Sequence, residues 1–192
     1  MLSQTFEVPE MTATVFFLHG KESGPWGLKI RRLAKVAEQF GCRVVSLDDQ
    51  GVDDPQQRVR HLLEEAGGID GILILVGSSM GGYVAAVAST SLAPRGLFLM
   101  APAIGLPGYD EPEPRPVADE MQVVHGWDDE IVPFEPVLQF AQTWSCPFHL
   151  LPDGHNLQTR IDQVEELFAA FLTRCLSDPL RVAASQRLAA TF

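Results

Sequence analysis

Ile72-Leu73-Ile74-Leu75-Val76-Gly77-Ser78-Ser79-Met80-Gly81-Gly82 is the stretch that decides the architecture. Five β-formers in a row, with no polar face, read as a strand covered on both sides, as in the interior of a parallel sheet. The glycine-rich turn that follows leads into a run of small residues, Met80 to about Ser89, which reads as a helix. Working outward, the same alternation recurs. Strands are expected at Thr14–Leu18, Arg43–Leu47, Leu97–Met100, Gln122–Val124 and Phe148–Leu151. Helices are expected at Trp26–Phe40, Gln56–Ala66, Glu135–Thr143 and Ile161–Thr173. A β-α-β-α order implies a mainly parallel sheet of about six strands with helices on both faces. One stretch breaks the order: Pro102 to Pro116 carries five prolines and is expected to be a surface loop or a very short lid.

The chain has 192 residues, of which 46% are hydrophobic. Its length fits a single domain over 1–192, with a core about 12–173 and a tail, 174–192, that could form a last amphipathic helix through Leu180, Ala183, Ala184 and Leu188. Asp plus Glu number 25 against 14 Lys plus Arg, a formal charge of −11. Such a surface repels phosphate backbones, so neither nucleic acid nor an anionic membrane is an expected partner. The amino terminus shows no basic region followed by an apolar run, and no apolar stretch reaches the length of a membrane span. The three cysteines, Cys42, Cys146 and Cys175, form no Cys-x-x-Cys pair. Neither a disulfide framework nor a thiolate zinc site is suggested, and a cytoplasmic protein with buried thiols is expected.

Gly77-Ser78-Ser79-Met80-Gly81 is a Gly-x-Ser-x-Gly turn between a strand and a helix, the setting of a nucleophile elbow. Its flanking positions need glycine because a Cβ there would strike the neighbouring strand or helix. Ser79 is the central residue, and Ser78 is one position early. A hydroxyl at that turn sits at a helix N-terminus, where the Met80 amide can stabilise a developing oxyanion. A serine nucleophile needs a general base. Of the five histidines, His61 lies in a polar helix and His149 inside a strand. His19 and His125 precede glycines at strand ends and suit loop support. His155, in Pro152-Asp153-Gly154-His155-Asn156 just after the last strand, reaches the same carboxyl edge of the sheet as Ser79. Between them lie three adjacent acids, Asp128, Asp129 and Glu130, any of which could orient the base. The order Ser, acid, His is that of the α/β hydrolases.

At this point the chain resembles the α/β-hydrolase superfamily, from about Thr14 to Phe171. Members commonly carry His-Gly-x-x-Asp-x-x-Val-Pro after this strand, and the pattern falls on His125, Gly126, Asp129, Val132 and Pro133. The resemblance therefore implies Asp129 as the triad acid, with Asp128 in reserve. It also covers Phe17-Leu18-His19-Gly20-Lys21, where the residue after the glycine supplies a second oxyanion N–H, implying Lys21 through its backbone. Many relatives have an apolar residue there, and the Lys21 side chain either faces solvent or attracts an acidic substrate. The small size and the short Pro102–Pro116 segment resemble compact bacterial esterase-like members with little or no lid. The implied fold is a compact three-layer α/β-hydrolase sandwich with a minimal cap. The implied site is shallow, with Trp26, Tyr109 and Trp127 as candidates for its wall.

The implied activity is hydrolysis of small carboxylic esters or thioesters through Ser79, Asp129 and His155, with the Lys21 and Met80 amides as oxyanion hole. No cofactor and no metal are expected, since the histidines lack metal-ligand spacing. The alternative is a ligand-binding or sensor protein on the same scaffold. A dinucleotide- or nucleotide-binding domain is disfavoured, because neither Gly-x-Gly-x-x-Gly nor Gly-x-x-x-x-Gly-Lys-Ser/Thr occurs.

Overall fold

The apolar run at Ile72–Ser78 (β3) forms the third strand of the sheet and lies in its interior, which is why it carries no polar face. A computed structural model describes residues 12–177. Its other strands are β1 (Ala13–Leu18), β2 (Arg43–Ser46), β4 (Gly96–Met100), β5 (Glu120–Gly126) and β6 (Phe148–Leu151). The strand order is β2-β1-β3-β4-β5-β6, and every neighbouring pair is parallel. The helices are α1 (Leu28–Gln39), α2 (Pro55–Ala66), α3 (Met80–Leu92), α4 (Phe134–Thr143) and α5 (Ile161–Leu176). The expected α/β architecture with helices on both faces is the observed one.

Alternation along the strands builds two cores. Val15, Phe17, Ile74, Val76 and Phe98 face α1 and α5. Phe16, Leu18, Leu75, Leu97 and Leu99 face α2, α3 and α4. Both sets are buried, so the period of two is invisible in the sequence of β3 and β4. The edge strands β2 and β6 are only partly buried. On the first face Arg32 of α1 forks onto Glu165 of α5 and donates to Asp162 at 2.7 Å, tying the two helices together. On the second, α2 starts on the Asp54 carboxylate, which accepts from the Gln56 N–H at 2.8 Å, with Pro55 in the first turn.

Several boundaries move for local reasons. α1 begins at Leu28 rather than Trp26, because Gly24 to Gly27 form a turn closed by Gly27 N–H to Gly24 O at 3.3 Å. β3 extends through Ser78, which pairs with Met100. β5 extends to Gly126, whose pairing with Leu151 carries the strand past His125. α5 continues past Thr173 because Cys175 is buried beside Gly96. The first residues assigned to a tail therefore belong to α5. The expected helix through Leu180, Ala183, Ala184 and Leu188 lies outside the described residues. No helix among the described residues is long and apolar enough to cross a membrane.

Phe168 of α5 meets Phe98 edge-on at 5.1 Å between ring centroids and Phe17 at 6.2 Å, and it is completely buried. Phe168→Ala is expected to destabilise the protein by about 3–5 kcal/mol, read as a lower midpoint in urea unfolding with little change in slope.

Candidate active site

Ser79 occupies the junction of β3 and α3 with φ 54° and ψ −121°. A non-glycine residue in that region costs on the order of 1–3 kcal/mol and is held only where its surroundings over-determine it. Here they do. The Ser79 N–H donates to Met100 O at 3.0 Å, and its carbonyl accepts from Gly82, Tyr83 and Ala103 N–H at 2.9, 3.2 and 3.0 Å. The glycines permit the turn. A Cβ at Gly77 would stand 2.3 Å from Gly81 O, and one at Gly81 would stand 2.2 Å from Leu18 O. The outcome is a hydroxyl raised at the carboxyl edge of the sheet, at the start of a 13-residue helix.

Asp129 follows β5 and His155 follows β6. The His155 Nδ1–H donates to Asp129 Oδ2 at 2.8 Å, which leaves Nε2 as the basic nitrogen. The Asp129 side chain is 1% exposed, and that of His155 is 13% exposed. Asp129 Oδ1 accepts from the Ile131 and Val132 N–H groups at 2.9 and 2.8 Å. Burial by itself pushes this carboxyl up. The hydrogen bonds from His155, Val132 and Ile131 outweigh it and hold Asp129 below the ordinary carboxylate value. Asp128 is exposed and contributes its backbone N–H to Asp153 O at 3.0 Å. Asp153 fixes the His155 loop: its carboxylate accepts from Gly154 and Arg160 N–H at 2.8 and 2.9 Å. Among the described residues, no hydrogen bond joins Ser79 Oγ to His155, though both side chains line one cleft. Such contacts are often long without substrate.

His19 and His125 serve the loops. His19 donates from Nδ1 to Gly20 O at 2.7 Å and accepts at Nε2 from the Asp49 N–H at 3.0 Å. His125 donates from Nδ1 to Gly126 O at 3.1 Å. Burial lowers its basicity, so it stays neutral beneath Asp129. Gly20 packs against Ser79, since a Cβ there would lie 3.3 Å from Ser79 Cβ. That brings the Lys21 backbone beside the serine, and neither the Lys21 N–H nor the Met80 N–H has a backbone acceptor among the described residues.

Two cations beside the site carried no sequence signal. Arg58 of α2, 1% exposed, donates to Val52 O at 2.7 Å, His19 O at 3.1 Å and Gly20 O at 3.4 Å. It holds the carbonyls of the His19–Gly20 loop inward. Lys29 of α1 donates from Nζ to Ser78 Oγ at 2.8 Å. Desolvation lowers its ammonium to about 8, with Asp129 and Asp153 pulling it back up, so it is mostly charged at neutral pH. Arg58 reads as one of many charges on a polar helix, and Lys29 lies 49 residues from Ser78. Only a fold brings such pairs together.

The cleft measures about 490 Å³ and is walled on its apolar side by Leu106, Tyr109 and Ile131. Tyr109 packs edge-on against Tyr83 at 4.5 Å, and the Glu111 N–H donates to the Tyr83 hydroxyl at 3.1 Å. The proline-rich segment is thus pinned to α3 and has no regular structure. Trp26 and Trp127 do not line the cleft as expected. Both are about half exposed, and Trp127 packs on Phe134 instead. The Lys21 ammonium lies 3.5 Å from Asp53 at the rim. Among the described residues, no group of three His, Cys, Asp or Glu side chains could hold a metal ion.

Residues 15–191 match the sequence profile of the alpha/beta hydrolase family. The chain is 33% identical to a protein assigned to the hydrolases of the alpha/beta superfamily from Xanthomonas campestris pv. campestris, over 85% of this chain and 99% of that one, with a TM-score of 0.74. Est1E from Butyrivibrio proteoclasticus superposes with a TM-score of 0.75 at 17% identity, covering 88% and 90% of the two chains. A serine hydrolase without a lid, also from Xanthomonas campestris, gives 0.68 at 20% identity over 91% and 87%. Those last two likenesses concern the fold alone. No curated protein matches the chain.

A carboxyl held below its unfolded value stabilises the fold above about pH 4, and that stability is lost as pH falls through the folded value. The gap in Tm between the wild type and Asp129→Asn is therefore expected to be full near pH 7 and to close progressively below about pH 4. Parallel thermal melts read it, and a gap independent of pH contradicts the assignment.

Proposed function

This chain belongs to the alpha/beta hydrolase family, and from that premise we propose that it is a serine hydrolase of small carboxylic esters or thioesters. Ser79 is the nucleophile, His155 the general base and Asp129 the orienting acid. The observation that carries this reading is the His155–Asp129 hydrogen bond at 2.8 Å, formed by a histidine that lines the same cleft as the strained Ser79.

In the proposed reaction His155 Nε2 takes the Ser79 hydroxyl proton as Oγ bonds to the substrate carbonyl carbon. The carbonyl π pair moves onto oxygen, and the N–H groups of Lys21 and Met80 receive that oxyanion. Asp129 stabilises the imidazolium and fixes its tautomer. The oxyanion collapses, the bond to the alkoxide or thiolate breaks, and His155 returns the proton to the leaving group. Water then repeats the sequence on the acyl-Ser79 ester, giving the free acid and the original serine. The residues present need no cofactor for this route. Arg58 acts through the backbone, keeping the Lys21 amide aimed at the oxyanion.

The short proline-rich segment, residues 101–119 between β4 and β5, adds no helical lid, which supports small substrates in an open cleft. The three free cysteines and the acidic charge support a cytoplasmic enzyme of small molecules rather than of nucleic acid or membranes.

Intact-mass measurement after a fluorophosphonate probe tests the reading. One adduct is expected on the wild type, none on Ser79→Ala, and much slower labelling on His155→Ala. Ester hydrolysis by either variant is expected to fall about 10⁴-fold or more in kcat. An unlabelled wild type would make the site a ligand-binding pocket without turnover.

A further inference from the structure

The Lys29 ammonium is a half-buried cation in the wall of the catalytic cleft. It makes one hydrogen bond, to Ser78 Oγ, and an ammonium carries three donors. Asp129 and Asp153 act on it through charge, without a direct contact. The Asp129 carboxylate is occupied by His155, Ile131 and Val132. The Asp153 carboxylate is occupied by the Gly154 and Arg160 amides. No carboxylate among the described residues pairs with Lys29 as a salt bridge.

The backbone around Lys29 has the same polarity. Gly27, Leu28 and Ile30 also line the cleft, so it opens onto the first turn of α1. That turn has no side-chain cap and no acidic residue, so no side chain there offsets the positive end of the helix dipole. The charged residues that line the cleft are Glu22, Lys29 and Lys21, the last lying 3.5 Å from Asp53 at the rim.

We propose that Lys29 forms an anion subsite of the cleft, and that the preferred substrate is an ester or thioester bearing a carboxylate a few bonds from the scissile carbonyl. This rests on the hydrolase reading above. Consecutive Cα atoms lie ~3.8 Å apart, so the ammonium, bonded to Ser78 Oγ, is within about 11 Å of the Ser79 hydroxyl. That is the reach of a half-ester of a short dicarboxylic acid. A carboxylate there completes the ammonium's hydrogen bonds in a site already partly desolvated, where a charge-assisted bond is strong.

The test compares two matched substrates, the para-nitrophenyl half-ester of glutaric acid and its methyl-capped neutral twin. The wild type is expected to favour the half-ester about tenfold or more in kcat/KM. Lys29→Met is expected to bring the ratio of the two values close to one, and Lys29→Arg to retain part of the preference. Glutaramate, which keeps one carboxylate, is also expected to bind the wild type at least tenfold more tightly than the neutral glutaramide by calorimetry, a reading that needs no variant to fold and no turnover. A wild-type ratio near one, a preference that survives Lys29→Met, or equal binding of glutaramate and glutaramide would overturn the anion subsite. Absence of fluorophosphonate labelling would instead overturn the hydrolase reading, and the calorimetric comparison would still decide the subsite.

Discussion

Gly81 comes so close to the end of β1 that a side-chain carbon there would stand 2.2 Å from Leu18 O. That approach seats the start of α3 directly on the strand end and forces the chain to reverse over Ser79 with a positive φ. The rest of the site depends on it. Gly20, the next turn along from β1, packs against Ser79 because α3 begins where it does. The Met80 amide points out of the helix start because no residue before it can accept its proton. The Ser79 N–H donates to Met100 O and its carbonyl accepts from Ala103, which clamps the serine from the β4 side, so the strain is held by β1, β4 and the first turn of α3.

Ions in this nearly dry setting are held by saturating their hydrogen bonds. Asp129 is almost completely buried, yet it remains an acceptor because one histidine and two amides saturate it. Arg58 is buried as deeply, and its charge is spread over three carbonyls from the loops after β1 and β2. Removing one partner from such a group leaves the other uncompensated, which is why these networks specify one geometry. Lys29 differs from both. It lines the cleft and makes one hydrogen bond, to Ser78 Oγ, whereas Arg58 and Asp129 are each held by three partners.

Much of this is legible in the sequence. The strand–turn–helix at Ile72–Gly82, the βα alternation and the loop position of His155 follow from periodicity and from turn chemistry acting over a few residues. Boundaries were less legible. β3 and β5 run further than their apolar runs suggest, because pairing with Met100 and Leu151 extends them. α5 outlasts its expected end because Cys175 finds a buried place beside Gly96. Of the three aromatics expected at the cleft, Tyr109 lines it, whereas Trp26 lies in the Gly24–Gly27 turn and Trp127 packs on Phe134.

The sequence by itself determined the order of elements, the elbow at Ser79 and the two loops that carry an acid and a histidine, since each is written within a dozen neighbouring residues. It left Asp128, Asp129 and Glu130 equivalent until a family resemblance favoured one. Tertiary structure decided which of them meets His155: Asp129 turns inward to it, 26 positions away. It alone brought Lys29 to Ser78 and Arg58 to the His19–Gly20 carbonyls, across 49 and 39 positions. Spacing along a chain encodes contacts within a turn or a helix face. Contacts across the sheet edge exist only once the strands have been placed in order, and there a buried charge finds the partners that make its burial tolerable.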